Sequence, residues 1–142
     1  MKDMEAGFRF EFRYTIPKDK TVPHLYPEAE EFQVMPEVFA TGYMVGLFEW
    51  ACVRALKPFL DWPKEQTVGT HVDFNHIAAT PPGLEVVVKG ELVEVDGRKL
   101  KFQMEAYDNI EKISEGTHER FVIDHGKFDS RAREKALKAL GK

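Results

Sequence analysis

"GYMVGLFEWACV", residues 42–53, holds one charged side chain, Glu49, among apolar, aromatic and glycine residues. With Thr41 before it and Pro58 after it, the run predicts a helix over 41–57. Thr41 is a natural N-cap, and Pro58 limits the far end. The run is apolar on every face, so the helix should be buried all round instead of lying on a surface. A bare carboxylate is costly there, so Glu49 should be paired, protonated or in use. As an ion pair it would take Arg54 or Arg120, although Arg54, five residues on, is not on its face of the helix. In use, it would be a general base or nucleophile in a dry cleft.

The segments around this helix read as strands. "FRFEFRYTI" (8–16) alternates Phe8, Phe10, Phe12, Tyr14 and Ile16 against polar partners, the pattern of a half-buried strand. Residues 17–36, rich in proline and charge, predict a long loop with a short helical turn at 28–33; loops of this length are often functional or mobile. "TVGTHVDFNHI" (67–77) sets Val68, Thr70, Val72, Phe74 and His76 on one strand face, and the Val-rich stretch 83–95 follows. "DG" at 96–97 signals a type I′ hairpin into 98–108, with Leu100, Phe102, Met104 and Ala106 facing inward. A last strand at 116–124 and a capped, basic, peripheral helix at 129–140 complete the chain.

Short turns between strands imply an antiparallel sheet. One buried helix and one such sheet make an α+β layer over a single domain, 1–142, with the sheet curling around the helix. A small sheet leaves an edge strand open, and edge-to-edge pairing into a dimer would cover it.

The 142 residues and their net charge of −4 argue against nucleic acid as a partner, because phosphate backbones are bound by basic surfaces. Cys52 is the single cysteine; it rules out an intrachain disulfide and reads as a small buried hydrophobe. The N-terminal residues lack a signal-peptide apolar region, and the longest uncharged apolar run, near 38–48, falls short of the roughly 20 residues that span a bilayer. A soluble cytoplasmic protein that binds no membrane is the expectation.

Two more residues stand out for chemistry. His76 ends a strand beside the tight loop "IAATPPG", as a core histidine or as one that reaches a ligand. Thr41 opens the helix, where free N–H groups and the positive end of the dipole could hold a carbonyl and the oxyanion it becomes. Thr41 and Glu49 lie about 12 Å apart along a continuous helix. A shared site would therefore be composite, with Thr41 of one protomer meeting Glu49 of another at a dimer interface. His71 and Asp73 face together without a third ligand, so no metal site is expected, and no phosphate-cradling glycine motif is present.

"PEVFATGYMVGLFEWACVRAL", "GTHVDFNHIAATPPGLEV", "EGTHERFVI" and the "HLYPE" of the N-terminal loop resemble the fluoroacetyl-CoA thioesterase group of the hotdog-fold thioesterases. The resemblance covers nearly the whole chain. It implies a long helix wrapped by a curved antiparallel sheet, in proteins that are at minimum dimers; a step from homodimer to tetramer is left open. It implies hydrolysis of a short-chain, fluoroacetyl-type acyl-CoA to a carboxylate and CoA, with no cofactor beyond the CoA of the substrate. The group's catalytic threonine, glutamate and histidine fall on Thr41, Glu49 and His76. Glu49 and His76 could then work as a proton-transfer pair, with Thr41, Glu49 or water as the nucleophile. Gly69 falls on a substrate-binding backbone position. In the lid segment Phe32 matches, whereas Met35 stands where the fluoroacetyl-specific enzyme has phenylalanine, which points to a broader short-acyl range. Arg120, Lys127, Arg131 and Arg133 are candidates to meet the phosphates of CoA. A non-catalytic acyl-CoA-binding module and a hydratase or dehydratase of the same fold are the alternatives.

Overall fold

The computed structural model describes residues 1–141. In chain order the elements are β1 (Arg9–Thr15), α1 (Glu30–Gln33), α2 (Thr41–Leu56), β2 (Glu65–Phe74), β3 (Glu85–Asp96), β4 (Lys99–Tyr107), β5 (Lys112–Asp124) and α3 (His125–Leu140). The five strands form one antiparallel sheet in the order β1-β3-β4-β5-β2. Helix α2 packs on one face of it. Met44, Leu47, Phe48, Ala51, Cys52 and Leu56 join Val86, Val88 and Leu92 of β3, the inward row of β4, and Ile113 and Val122 of β5 in a single core. That β4 row is the expected one: Leu100, Phe102, Met104 and Ala106 are all buried.

The helix differs from its reading in two ways. Ala40, not Thr41, occupies the N-cap position, and no side chain caps the first turn. Burial is also one-sided within the chain. Gly42, Gly46, Trp50 and Arg54, spaced four apart along one face, are exposed. An all-apolar helix need not be enclosed by its own sheet; here its second face is open. The Arg54 guanidinium lies over the rings of Phe12 and Trp50 instead of reaching Glu49.

Strand β2 departs furthest from the pattern. It pairs with β5, not with its successor β3, so residues 75–84 cross over instead of turning a hairpin. It ends at Phe74, which leaves His76 in the loop beyond it. A bulge between Gly69 and His71 breaks the alternation that placed Val68, Thr70 and Phe74 on one face. Before the bulge Thr67 is buried and the missing Cβ of Gly69 points at α2; after it Phe74 packs edge-on against Phe48 at 4.5 Å. Both β1 and β2 are edge strands.

The hairpin stands where it was read, one residue later and of the other primed type. Asp96 pairs with Lys99 around Gly97 and Arg98, and only Gly97 has positive φ, at +60°, as a type II′ turn requires. Strand β5 begins at Lys112 instead of 116, and α3 begins at His125 instead of 129. The Asp124 carboxylate caps α3 by accepting from the Lys127 N–H at 3.0 Å.

Candidate active site

Two polar clusters lie along α2. At its start, the Thr41 hydroxyl and His76 Nδ1 are 2.8 Å apart. The first turn leaves N–H groups without intrahelical partners, and no side chain takes them up. A cleft of roughly 280 Å³ opens here, walled by Val22, Val38, Phe39, Ile77 and Ala78. Burial holds the His76 imidazole below the ordinary histidine pKa, so it is neutral at neutral pH. Its Nε2 is buried and is the one such side-chain atom among the described residues without a hydrogen-bond partner.

The second cluster lies two turns further on. Glu49 Oε2 accepts from Arg120 Nη1 at 2.9 Å. Arg120 is 4% exposed, and Glu49 is 40% exposed, so the carboxylate borders solvent while its partner does not. The guanidinium also donates from Nε to the Thr67 hydroxyl at 2.8 Å and from Nη2 to the Thr67 carbonyl at 2.9 Å. Arg120 is thus the ion partner of Glu49, fixed under the helix, whereas Lys127, Arg131 and Arg133 are exposed on α3. Gly69 lies against the same carboxylate: a Cβ there would stand 2.9 Å from Glu49 Oε2. Glycine at this place leaves room for the acid between edge strand and helix.

Within the chain, Glu49 does not bond to His76 or to Thr41. The proton-transfer pairing of Glu49 with His76 is therefore not made inside one protomer.

The loop 17–36 is pinned at its base. Thr21 bridges Phe39, the Val22 N–H donates to the Val38 carbonyl, and the Tyr43 hydroxyl donates to the His24 carbonyl at 3.2 Å. Phe32, half-buried on α1, stacks on Tyr26 at 6.0 Å, and Met35 is 45% exposed. Neither lines the Thr41–His76 cleft. No group of three or more His, Cys, Asp or Glu among the described residues is placed to hold a metal ion. No helix among them is long and apolar enough to cross a membrane.

One participant escaped the sequence reading. His118, fully buried, faces the second cluster from β5, two residues before Arg120. The legible signal was the pair of polar residues at 118 and 120 on one face of a strand whose Val122 is core.

A family model described as fluoroacetyl-CoA-specific thioesterase matches residues 21–126. The chain belongs to that family. The fluoroacetyl-CoA thioesterase of Streptantibioticus cattleyicolor is 53% identical over 136 residues, which are 95% of this chain and 97% of that protein. A solved structure of the fluoroacetyl-CoA thioesterase FlK superposes with a TM-score of 0.91 at 51% identity, covering 94% of this chain and 98% of that one. A structure of an FlK variant in complex with fluoroacetate and CoA superposes at 0.85 with 54% identity, covering 88% and 99%. As a fluoroacetyl-CoA-specific thioesterase family member, the chain has the hotdog fold: one long helix laid on a five-stranded antiparallel sheet.

Proposed function

We propose that the chain hydrolyses short-chain acyl-CoA thioesters, fluoroacetyl-CoA among them, to the carboxylate and free CoA. The carrying observation is the 2.8 Å contact between the Thr41 hydroxyl and His76 Nδ1 at an uncapped helix start. A neutral imidazole with a free Nδ1 lone pair is the base a threonine hydroxyl needs. As Thr41 Oγ1 attacks the thioester carbonyl, its proton passes to Nδ1. The tetrahedral oxyanion forms where the N–H groups of the first turn and the positive helix end favour negative charge. Collapse breaks the C–S bond, and the departing thiolate takes the proton from His76. Water then cleaves the acyl ester on Thr41, with the same imidazole as its base. Where hydrolysis of the acyl-enzyme is the slower step of this route, a burst of CoA precedes the steady state.

For Nδ1 to accept, the His76 proton must sit on Nε2, the buried atom without a partner in the chain. Leaving such a donor unpaired costs about 1–3 kcal/mol. Glu49 is two turns away on its own helix, so the carboxylate that satisfies Nε2–H is the partner's Glu49, in a homodimer formed over the open face of α2 and the β2 edge. The exposed row Gly42, Gly46 and Trp50 and the exposed Val72 of β2 support this reading. The fluoroacetate and CoA bound by a relative at 54% identity support the substrate class.

The test is thiol release from a panel of acyl-CoAs running from acetyl and fluoroacetyl to long-chain. The short members should turn over and the long ones should not. Tight binding of every member without release would leave an acyl-CoA-binding module. The pH profile adds a second check. Protonation of His76 removes the base, so kcat/KM should fall as the pH drops through its titration; burial within the chain moves that fall below the ordinary histidine value of about 6.5, and a carboxylate on Nε2–H moves it back up. A kcat/KM that stays flat on acidification through the histidine range would remove His76 as the base.

A further inference from the structure

The buried His118 has no part in the route above, yet its two ring nitrogens are both engaged. Nδ1 lies 2.7 Å from the backbone oxygen of His71, at the bulge of the edge strand. A carbonyl only accepts, so Nδ1 carries the proton. Nε2 then bears a lone pair, and it lies 3.1 Å from Arg120 Nη1. An arginine only donates, which agrees with that assignment. Nη1 has two hydrogens; one goes to His118 and the other to Glu49 Oε2. The result is a directed chain: the His71 carbonyl accepts from His118, which accepts from Arg120, which donates to Glu49.

We propose that His118 is a positioning residue for the thioesterase reaction, fixing Nη1 of Arg120 and, through it, the Glu49 carboxylate. The proposal rests on the hydrolase reading for its consequence, though not for its geometry. The two Thr67 contacts hold Nε and Nη2, the far side of the guanidinium. His118 alone braces Nη1, the nitrogen that faces the acid. A protonated ring would present a second donor to Nη1, so the device needs a neutral imidazole. Burial holds the His118 pKa below the ordinary value; the His71 carbonyl and Glu49 act in the other direction, and Arg120 lowers it further. Phe74 from β2 packs against the ring at a centroid distance of 5.8 Å, and Phe102 of β4 is its cross-strand neighbour. The charged or titratable groups that act on it are therefore Arg120 of its own strand, Glu49 of α2 and His71 of β2.

Two substitutions separate bracing from packing. His118→Asn keeps a donor near the His71 carbonyl and loses the acceptor for Arg120. His118→Gln extends an acceptor towards Arg120 and loses the donor to His71. Asn should lower kcat about 10–100-fold with KM changed by less than about threefold, as for a contact that acts on the transition state. Gln should recover kcat to within about fivefold of wild type. In a Glu49→Gln background, His118→Asn should cost less than about twofold more, because residues acting through one group are not additive. Equal losses in Asn and Gln, or an undiminished Asn effect without Glu49, would reduce His118 to core packing. The ring tautomer is read without turnover by 15N NMR of the wild-type protein. Nδ1–H is expected, and Nε2–H overturns the proposal even if the variants fail to fold. A wild-type protein with the Nδ1–H tautomer and no hydrolase activity would instead defeat the functional reading.

Discussion

His76→Ala is expected to lower kcat by about 10²–10⁴-fold, the range for loss of a positioned acid–base group. The Thr41 hydroxyl would keep its place in the first turn of α2 and lose its only side-chain partner. The fold should not suffer. His76 lies in the loop beyond β2, and its removal takes a partner from the exposed Thr41 hydroxyl and, in the proposed dimer, from a Glu49 carboxylate that still has Arg120. Steady-state kinetics and a thermal melt on the same preparation decide the matter. A large loss of kcat at unchanged melting temperature assigns His76 to the chemistry, and activity within about tenfold of wild type removes it.

Gly116→Ala should be the most destabilising of the glycine-to-alanine changes, costing about 3 kcal/mol or more or abolishing folding. Gly116 has φ of +157°, and a Cβ there would run into the backbone carbonyl oxygen of Asp73. Neither strand can give way. Gly116 is paired to Met104 of β4 on one side and Phe74 of β2 on the other. The same contact sets the end of β2 and so the start of the loop that carries His76. Gly126→Ala is the control: its Cβ would meet only the Asp124 carboxylate at 3.5 Å, an ordinary contact in the first turn of α3. Alanine there should be neutral or add about 0.5–1 kcal/mol of stability by helix propensity. Urea unfolding of the two variants makes the comparison.

The core was legible because it is periodic. Leu100 to Ala106 alternate and are all buried, and the apolar run of α2 lies where its spacing puts it. What periodicity could not carry is β2. The bulge at Gly69 shifts the register by one residue, and long-range pairing with β5, not a local turn, decides its neighbour. Thr41 and His76 are 35 positions apart and meet only because of that pairing. The lone glutamate is paired, and with one of the two arginines the sequence offers. Its charge is met by Arg120, whose own hydrogen-bonding groups, His118 and Thr67, lie on two strands that have no pattern in common with the helix.

Cys52 is fully buried, its Sγ set 3.8 Å from the Met104 sulfur, and burial pushes its thiol up to about 12. Since thiolate is the reactive form, the folded protein is silent towards disulfide reagents. A colour reaction for released CoA will therefore count product and not enzyme. The same silence makes the cysteine a clock: under mild denaturant its labelling rate counts how often the core opens, with no probe added to the molecule.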